Sequence, residues 1–263
     1  MLPRKVINKH DENRLKNEGN ILASKNKIFR NNNLNYLLKK RYDFVSEHLK
    51  ENDEILELGC GAGHAKHFIK NKNLKISDIT NYDFLDYKNV DCLNTGFKEN
   101  SFDAVFSFSL IHHIPNPIKL FNEVGRILKK NGRYIILDIN CSFFFKLITI
   151  LTKSENYDLD INIYDKNINL TDPKDHFDSN NAVPSLIFEN FEKFNNNLDF
   201  KFQLTEFKFE EFFIFVNSGG VIIDAPYIPL NNSFNNFFYK VDKLLSKFHK
   251  IFPLHMYTCL TKK

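Results

Sequence analysis

Glu57-Leu58-Gly59-Cys60-Gly61-Ala62-Gly63 is a glycine-rich turn set directly between a short apolar strand, Glu54 to Leu58 (EILEL), and a helix carried by Ala65 to Lys70. Glycines there let the backbone bend sharply and approach a ligand, and the N-terminus of the following helix offers free N–H groups to an anion or a carboxylate. The dinucleotide fingerprint Gly-x-Gly-x-x-Gly/Ala needs its third small residue at the sixth place. Here Gly63 comes one position early and His64 takes that place, which weakens a nicotinamide-cofactor reading.

Outward from this turn, strands alternate with helices. Leu74 to Ile79 and Phe102 to Phe108 read as strands, Pro117 to Lys130 as a helix with Leu120, Phe121, Val124, Ile127 and Leu128 on one face, and Tyr134 to Ile139 as a further strand. Such alternation implies right-handed crossovers and a mostly parallel sheet covered on both faces, a doubly wound α/β core from about residue 33 to 140. A helix precedes it, with Leu34, Leu37, Leu38, Val45 and Leu49 at three- and four-residue steps. Arg41 falls on that stripe, either snorkelling from its edge or pointing into a cleft to meet a carboxylate. Residues 1–32 are polar and read as a loose arm or frayed helix.

Beyond Asn140, Ser142 to Lys153 and Pro184 to Phe194 read as helices, the stretch between Ser154 and Asn181 as loop, and Leu198 to Phe207 as a strand. FEEFFIFVN, from Phe209 to Asn217, satisfies both periods. Phe234 to Lys250 reads as an amphipathic helix and Met256 to Leu260 as a closing strand. The pattern therefore predicts a single domain over 33–263, with a cofactor-binding core at 33–140 and a helical lid plus closing strands at 141–263.

The composition excludes several classes. Among 263 residues, 43% are hydrophobic and 26% charged, so wholesale disorder is ruled out. A net charge of +4 neither demands nor excludes an anionic partner. Cys60, Cys92, Cys141 and Cys259 form no CxxC pair, the N-terminus has no apolar signal region, and no apolar run reaches spanning length. These features lead us to expect a cytoplasmic protein without a membrane span.

EILELGCGAG, Asp78 after the next strand, Asp91-Cys92 before Gly96-Phe97, NSFDAVFS, LIHHI, and EVGRILKKNG leading into RYIILDI occur in that order. On these motifs the chain resembles the class I S-adenosylmethionine-dependent methyltransferases, in particular the group similar to ubiquinone- and menaquinone-biosynthesis enzymes. NLNYLLKKR, NNAVPSLIF and NSGGV further resemble a bacterial subgroup that includes sugar or surface-polysaccharide enzymes. The resemblance implies a Rossmann-like, seven-stranded, mostly parallel sheet with the last strand antiparallel and a helical insert, and S-adenosyl-L-methionine as cofactor. It departs from the family at Thr95-Gly96-Phe97 and at Lys130-Asn131-Gly132, both loop positions.

Position by position, the resemblance places Glu57 at the methionine end of the cofactor, where its charge attracts the ammonium and sulfonium, while Gly59, Cys60, Gly61 and Gly63 admit the backbone. Asp78, 19 residues after Gly59, would accept the ribose hydroxyls, as the acidic residue about 20 positions on does in dinucleotide folds. Asp91 would accept the adenine amino group and the Cys92 N–H donate to the ring; a turn-forming Asp is the alternative at Asp91. Ser107 is carried with these contacts, and Arg41 is set against the methionine carboxylate or an acidic acceptor.

Methyl transfer from a sulfonium is an in-line displacement with a good leaving group, so the protein must chiefly align the acceptor and remove its proton. His112, His113 and Asp138 lie at the carboxyl ends of strands and are the candidate bases, with the two histidines unranked; the alternative that the resemblance implies for the histidine pair is packing beside the cofactor without a catalytic part. Asp172, Asp175, His176 and Asp178 resemble a hard-cation cluster, but such acidic loops are normally solvated, and no metal is assigned. The expected function is methyl transfer to a small-molecule acceptor, a hydroxyl of a sugar, glycan or other metabolite. RNA methylation, motivated by basic residues from Arg4 to Arg41, is the alternative, and lacks an aromatic-interleaved basic patch; nucleic acid is therefore not the expected partner. A cofactor-binding partner protein without catalysis is the third reading. The region after Asn140 is expected over the sheet edge, bringing Ser218-Gly219-Gly220 toward His112 and His113, or else burying an oligomer interface.

Overall fold

The structure, a computed structural model, describes residues 2–8, 18–153, 155–165, 167–222 and 224–263. In chain order it contains β1 (Lys5–Val6), α1 (Glu18–Lys27), α2 (Asn32–Glu47), β2 (Ile55–Leu58), α3 (Ala65–Phe68), β3 (Leu74–Ser77), β4 (Phe102–Phe108), α4 (Pro117–Ile127) and β5 (Leu128–Ile139). The second half adds α5 (Phe143–Thr152), β6 (Tyr157–Asp158), α6 (Val183–Glu189), α7 (Phe191–Asn196), β7 (Phe202–Glu210), α8 (Phe213–Val216), α9 (Asn232–Leu245) and β8 (His255–Lys262).

The central sheet has six strands in the order β3-β2-β4-β5-β8-β7. β3, β2, β4 and β5 pair in parallel, and β8 is antiparallel to both β5 and β7. Among the described residues the sheet thus has six strands, and the expected count of seven is not reached. Where a seventh strand would continue past β3, a single parallel bridge joins Ser77 to Tyr87. The local sequence explains this: Asp86 turns its carboxylate back to the Ile76 N–H, and Asn89, at φ +54°, breaks the extended run.

Both faces are covered. α2 places Leu34, Leu37, Leu38 and Val45 against Ile55, Ile76, Phe106 and Ile135 on one side, and α4, α6 and α7 bury Leu120, Phe121, Val124, Ile187 and Phe194 on the other. Asn31 caps α2 by accepting the Leu34 N–H, and Asn116 caps α4 through the Lys119 N–H, with Pro117 in the first turn. α4 ends at Ile127, earlier than its apolar period suggests, because Leu128 is extended and pairs with Phe102.

Three segments differ from their expected readings. The loop between 154 and 181 contains β6, whose antiparallel pairing with β1 ties it to the chain's N-terminal part. The ambiguous FEEFFIFVN run is divided at Glu211, whose φ of +65° ends β7 and turns the chain into α8. Of the 1–32 arm, residues 1 and 9–17 lie outside the described residues, while 18–27 form α1 with Ile21 and Ser24 buried. Among the described residues no helix is long and apolar enough to cross a membrane.

Candidate active site

β2 leads toward β3 on one side of the sheet and β4 toward β5 on the other, so a crevice opens where the loops after β2 and β4 part. Glu57, one residue before the end of β2 on the side of this crevice's loops, is buried. Its Oε1 accepts the Tyr42 hydroxyl at 3.4 Å, whereas Oε2 is buried with no hydrogen-bond partner among the described residues. Burial pushes this carboxyl well above its ordinary range; the Tyr42 bond opposes the rise and the neighbouring Asp78 adds to it.

The glycine loop is pinned to the end of β3. The Cys60 N–H donates to the Ser77 carbonyl at 3.0 Å, and the Gly61 N–H donates to Asp78 Oδ2 at 2.9 Å, while Asp78 Oδ1 accepts the Thr80 N–H. Gly61 and Gly63 sit at φ +52° and +70°, where an L side chain is strained. Their surroundings differ. A Cβ at Gly63 would lie 2.9 Å from the Phe84 ring, whereas one at Gly61 would meet nothing within 4 Å. Gly63 therefore serves internal packing, and Gly61 borders open space. Lys25 of α1 lies 3.9 Å over Phe84, bringing α1 beside the loop. His64 is buried with Nε2 unpartnered, and burial, then His67 and Lys25, lowers its pKa to about 4.

On the other side of the crevice, His112 Nδ1 lies 2.5 Å from Asp138 Oδ1, both residues being buried. Asp138 also accepts the Ile111 N–H and its neighbour Ile139's N–H, each at 2.8 Å. Burial alone would raise the Asp138 carboxyl, but His112 and these two N–H groups hold it below its ordinary range. Burial likewise opposes charging of His112, yet Asp138 and Glu155 raise its pKa overall. His113 is the opposite case: its Nδ1–H donates to the Asp178 carbonyl at 2.9 Å, and burial beside His112 lowers its pKa to about 4.

The region after β5 wraps this pair. Asn180 N–H donates to the His112 carbonyl, Thr171 Oγ1 to the His113 carbonyl, and Leu170 N–H to the Pro115 carbonyl. The Ser218-Gly219-Gly220 turn is held elsewhere, against the α2 cap, with Asn31 Nδ2 donating to the Ser218 carbonyl at 2.7 Å.

A family model described as a methyltransferase domain matches residues 30–183 of this chain. The chain belongs to that methyltransferase domain family. Among its relatives, sterol 4-C-methyltransferase strm-1 of Caenorhabditis elegans is 26% identical over 130 residues, covering 42% of this chain and 39% of that protein. The mitochondrial ubiquinone biosynthesis O-methyltransferase of Dictyostelium discoideum is 28% identical over 117 residues, covering 43% of this chain and 34% of that protein. The matched stretch thus spans well under half of either relative. Among solved structures, the MccD protein superposes with a TM-score of 0.49 at 17% identity, over 84% of this chain and 96% of that one.

Within this methyltransferase domain, Glu57, Gly59, Cys60, Gly61, Gly63 and Asp78 lie together, and His112, His113 and Asp138 form a second group. Asp91 is exposed and its Oδ1 accepts the Leu93 N–H at 2.8 Å, the geometry of a turn-forming Asp, with Cys92 half-buried beside it. Ser107 departs from its expected place: it is buried within β4 and its hydroxyl lies 3.0 Å from the Tyr134 hydroxyl, on the core side of the sheet. The residue of this segment that reaches the glycine loop is Leu110, in contact range of Gly59.

Arg41 does meet a carboxylate, but one of the protein's own. Its Nε and Nη2 donate to Glu211 Oε1 and Oε2 at 2.8 and 2.6 Å, and Tyr257 Oη donates to the same carboxylate. Arg41 and Glu211 are both buried, and the pair holds Glu211 ionised despite burial. A cofactor contact by Arg41 therefore has to compete with a bidentate bond. The acidic 172–178 loop spends carboxylates on its own turns: Asp172 on the Lys174 N–H, Asp175 on the Phe177 N–H and Asp178 on the Asp172 N–H. Among the described residues no group of three or more His, Cys, Asp and Glu is arranged to hold a metal.

Sequence reasoning missed Tyr42, Phe84, Leu110, Glu155 and Glu211. Tyr42 had a readable signal, a polar-tipped ring beside Arg41 on an apolar stripe. The others are separated from their partners by long stretches of chain and carry no local mark.

Proposed function

We propose that this chain transfers a methyl group from S-adenosylmethionine to a hydroxyl of a small-molecule acceptor, with His112 taking the acceptor's proton. What carries the reading is the presence, at one sheet edge, of a buried carboxyl on β2 with one oxygen unpartnered among the described residues and a buried histidine–aspartate pair joining the β4 loop to β5. When bound, the cofactor supplies an electrophilic methyl on a sulfonium.

The residues fit that group. Glu57 Oε2 lacks a cation and is buried, so an ammonium or sulfonium beside it would complete an otherwise costly burial. The open side of Gly61 admits a ligand against the backbone. Asp78, already tied to Gly61, would hold the ribose hydroxyls, and Asp91 with the Cys92 N–H the adenine.

Asp138 keeps the His112 Nδ1–H, which leaves Nε2 as the nitrogen able to receive a proton. The carboxylate then stabilises the imidazolium in the dry interior. His113 does not share this role, since its Nδ1–H is committed to a carbonyl and nothing of opposite charge bonds to its ring. The names of the relatives, a sterol 4-C-methyltransferase and a ubiquinone-biosynthesis O-methyltransferase, divide between carbon and oxygen as the methylated atom but favour an amphiphilic acceptor over a sugar or glycan, and the choice of a hydroxyl rests on His112.

The test is transfer of radiolabelled methyl from S-adenosylmethionine to panels of sterols, quinols and sugars by wild type and His112→Ala. Label should pass to one panel with the wild type only, with cofactor affinity retained in the variant. Calorimetry showing no heat with either S-adenosylmethionine or its demethylated product would remove the reading.

A further inference from the structure

The amphipathic helix α9 packs Phe238 and Tyr239 against the core yet presents a second apolar stripe to the outside. Its polar Asn235 and Asp242 are buried, Asp242 accepting the N–H groups of Phe212, Phe213 and Ile214 at the start of α8. Three of its apolar residues face out: Phe234 and Phe237 are each 58% exposed and Leu244 64%. Phe234, Phe237, Leu244 and Phe248, with the half-buried Val241 between them, follow alternating three- and four-residue steps, a single stripe along the outer side.

This stripe is part of a larger surface. Ring contacts run from Phe237 through Phe238, Phe213, Phe212 and Phe144 to Phe143, and from Phe144 through Phe252 to Phe248. Phe143, Phe213 and Phe248 are themselves exposed, so the outer rings belong to one continuous patch joining α5, α8 and α9. A patch of that kind on a folded domain marks an interaction surface.

Its charge identifies the partner. Lys240, Lys243, Lys247 and Lys250 are exposed along the same segment, and between Asn231 and Phe252 the one acidic residue is the buried Asp242. Outward aromatic and leucine side chains flanked by lysines, with no exposed acid, match the interfacial zone of an anionic bilayer: rings enter the acyl boundary and ammonium groups meet the headgroups. The patch also borders the active-site edge. Asn140, just after Asp138, donates from Nδ2 to the His249 and Pro253 carbonyls at 2.8 and 2.7 Å.

We infer that the α5–α8–α9 face docks this protein on a bilayer containing anionic lipid, with the carboxyl edge of the sheet beside the membrane. Its consequence for catalysis, an acceptor drawn from the bilayer, rests on the methyltransferase reading; the docking itself does not.

The full chain, without cofactor, is sedimented with vesicles of phosphatidylcholine alone or phosphatidylcholine with phosphatidylglycerol, alongside F234S/F237S and K243E/K247E. Wild type should partition to the phosphatidylglycerol vesicles in a salt-sensitive way. F234S/F237S should partition at least about tenfold less, and K243E/K247E should lose the preference for phosphatidylglycerol while keeping its circular dichroism. Should F234S/F237S fail to fold, the charge-reversed variant still decides. Wild type that stays in the supernatant with both vesicles overturns the proposal. So does sedimentation equilibrium in which wild type is a dimer and K243E/K247E or F234S/F237S a monomer, without vesicle binding, since the face would then cover a second copy. Vesicle binding by a chain that takes up no S-adenosylmethionine would support the docking while removing the methyltransferase reading.

Discussion

Asp138 holds His112 by its Nδ1 at 2.5 Å, and two backbone N–H groups fix the same carboxylate from either side. An aspartate so held orients the imidazole and balances its charge, and this makes the pair rather than either residue the unit that titrates.

For the pair, the two shifts set a stability window. His112 has a raised folded pKa, so its contribution is complete below the unfolded imidazole value, about 6.5, and is lost as pH rises through the folded value. Asp138 has a lowered one, so its contribution is present above the unfolded carboxyl value, about 3.9, and is lost as pH falls through the folded value. Asp138→Asn should therefore cost most between these limits, about 3 kcal/mol, and less on either side, as read by denaturation at a series of pH values. Turnover should rise with pH through the raised His112 value, because the base must be neutral. His112→Ala should lower it about 10²–10⁴-fold with cofactor affinity intact.

Glu57 behaves in the opposite sense to a paired carboxylate. Its folded pKa is raised, so above the unfolded carboxyl value the native state holds a proton the unfolded chain has released, and stability falls as pH rises. Glu57→Gln should accordingly melt higher than wild type at neutral pH in the absence of ligand. The same variant should bind S-adenosylmethionine about 10–100-fold more weakly, the loss of one charge-assisted contact of about 1.5–3 kcal/mol. Calorimetry in buffers of different ionisation heat should show proton release on binding in wild type and none in Glu57→Gln.

Gly61 and Gly63 should separate binding from folding. Gly61→Val meets open space, so it should fold with a loss of about 1–2 kcal/mol from its left-handed backbone and lose measurable cofactor binding. Gly63→Ala drives its Cβ into Phe84 and Ile76 and should lower the melting temperature more than Gly61→Ala does. Equal melting temperatures for the two alanine variants would contradict this division.

Arg41 and Glu211 should couple strongly. Arg41→Met strips Glu211 of its bidentate cation and leaves the buried carboxylate only Tyr257 and His255, which lies 2.9 Å from Oε2, and should cost about 3–5 kcal/mol. Removing both charges, in Arg41→Met with Glu211→Leu, should recover much of that loss. A double-mutant cycle by urea denaturation measures the coupling, and cofactor titration of the double variant shows whether Arg41 also serves the ligand.

The α/β class, the glycine loop and the places of Asp78, His112, His113 and Asp138 at strand ends are legible in residue order alone, because these depend on local order: a turn between strand and helix, and polar residues where strands end. Packing between distant segments settles that His112 rather than His113 holds an aspartate, that Ser107 faces Tyr134, and that Arg41 is spent on Glu211. It also sets six strands for the sheet among the described residues and turns Phe234 and Phe237 of α9 outward. The division has one physical cause. Backbone geometry and hydrophobic period are set by neighbours along the chain, whereas a buried charge takes whichever partner the packing of distant segments brings within reach. The same holds for a helix face, whose burial depends on what other elements cover. Arg41 and Glu211, separated by 170 residues, meet only when α2 and the end of β7 close on the same sheet edge.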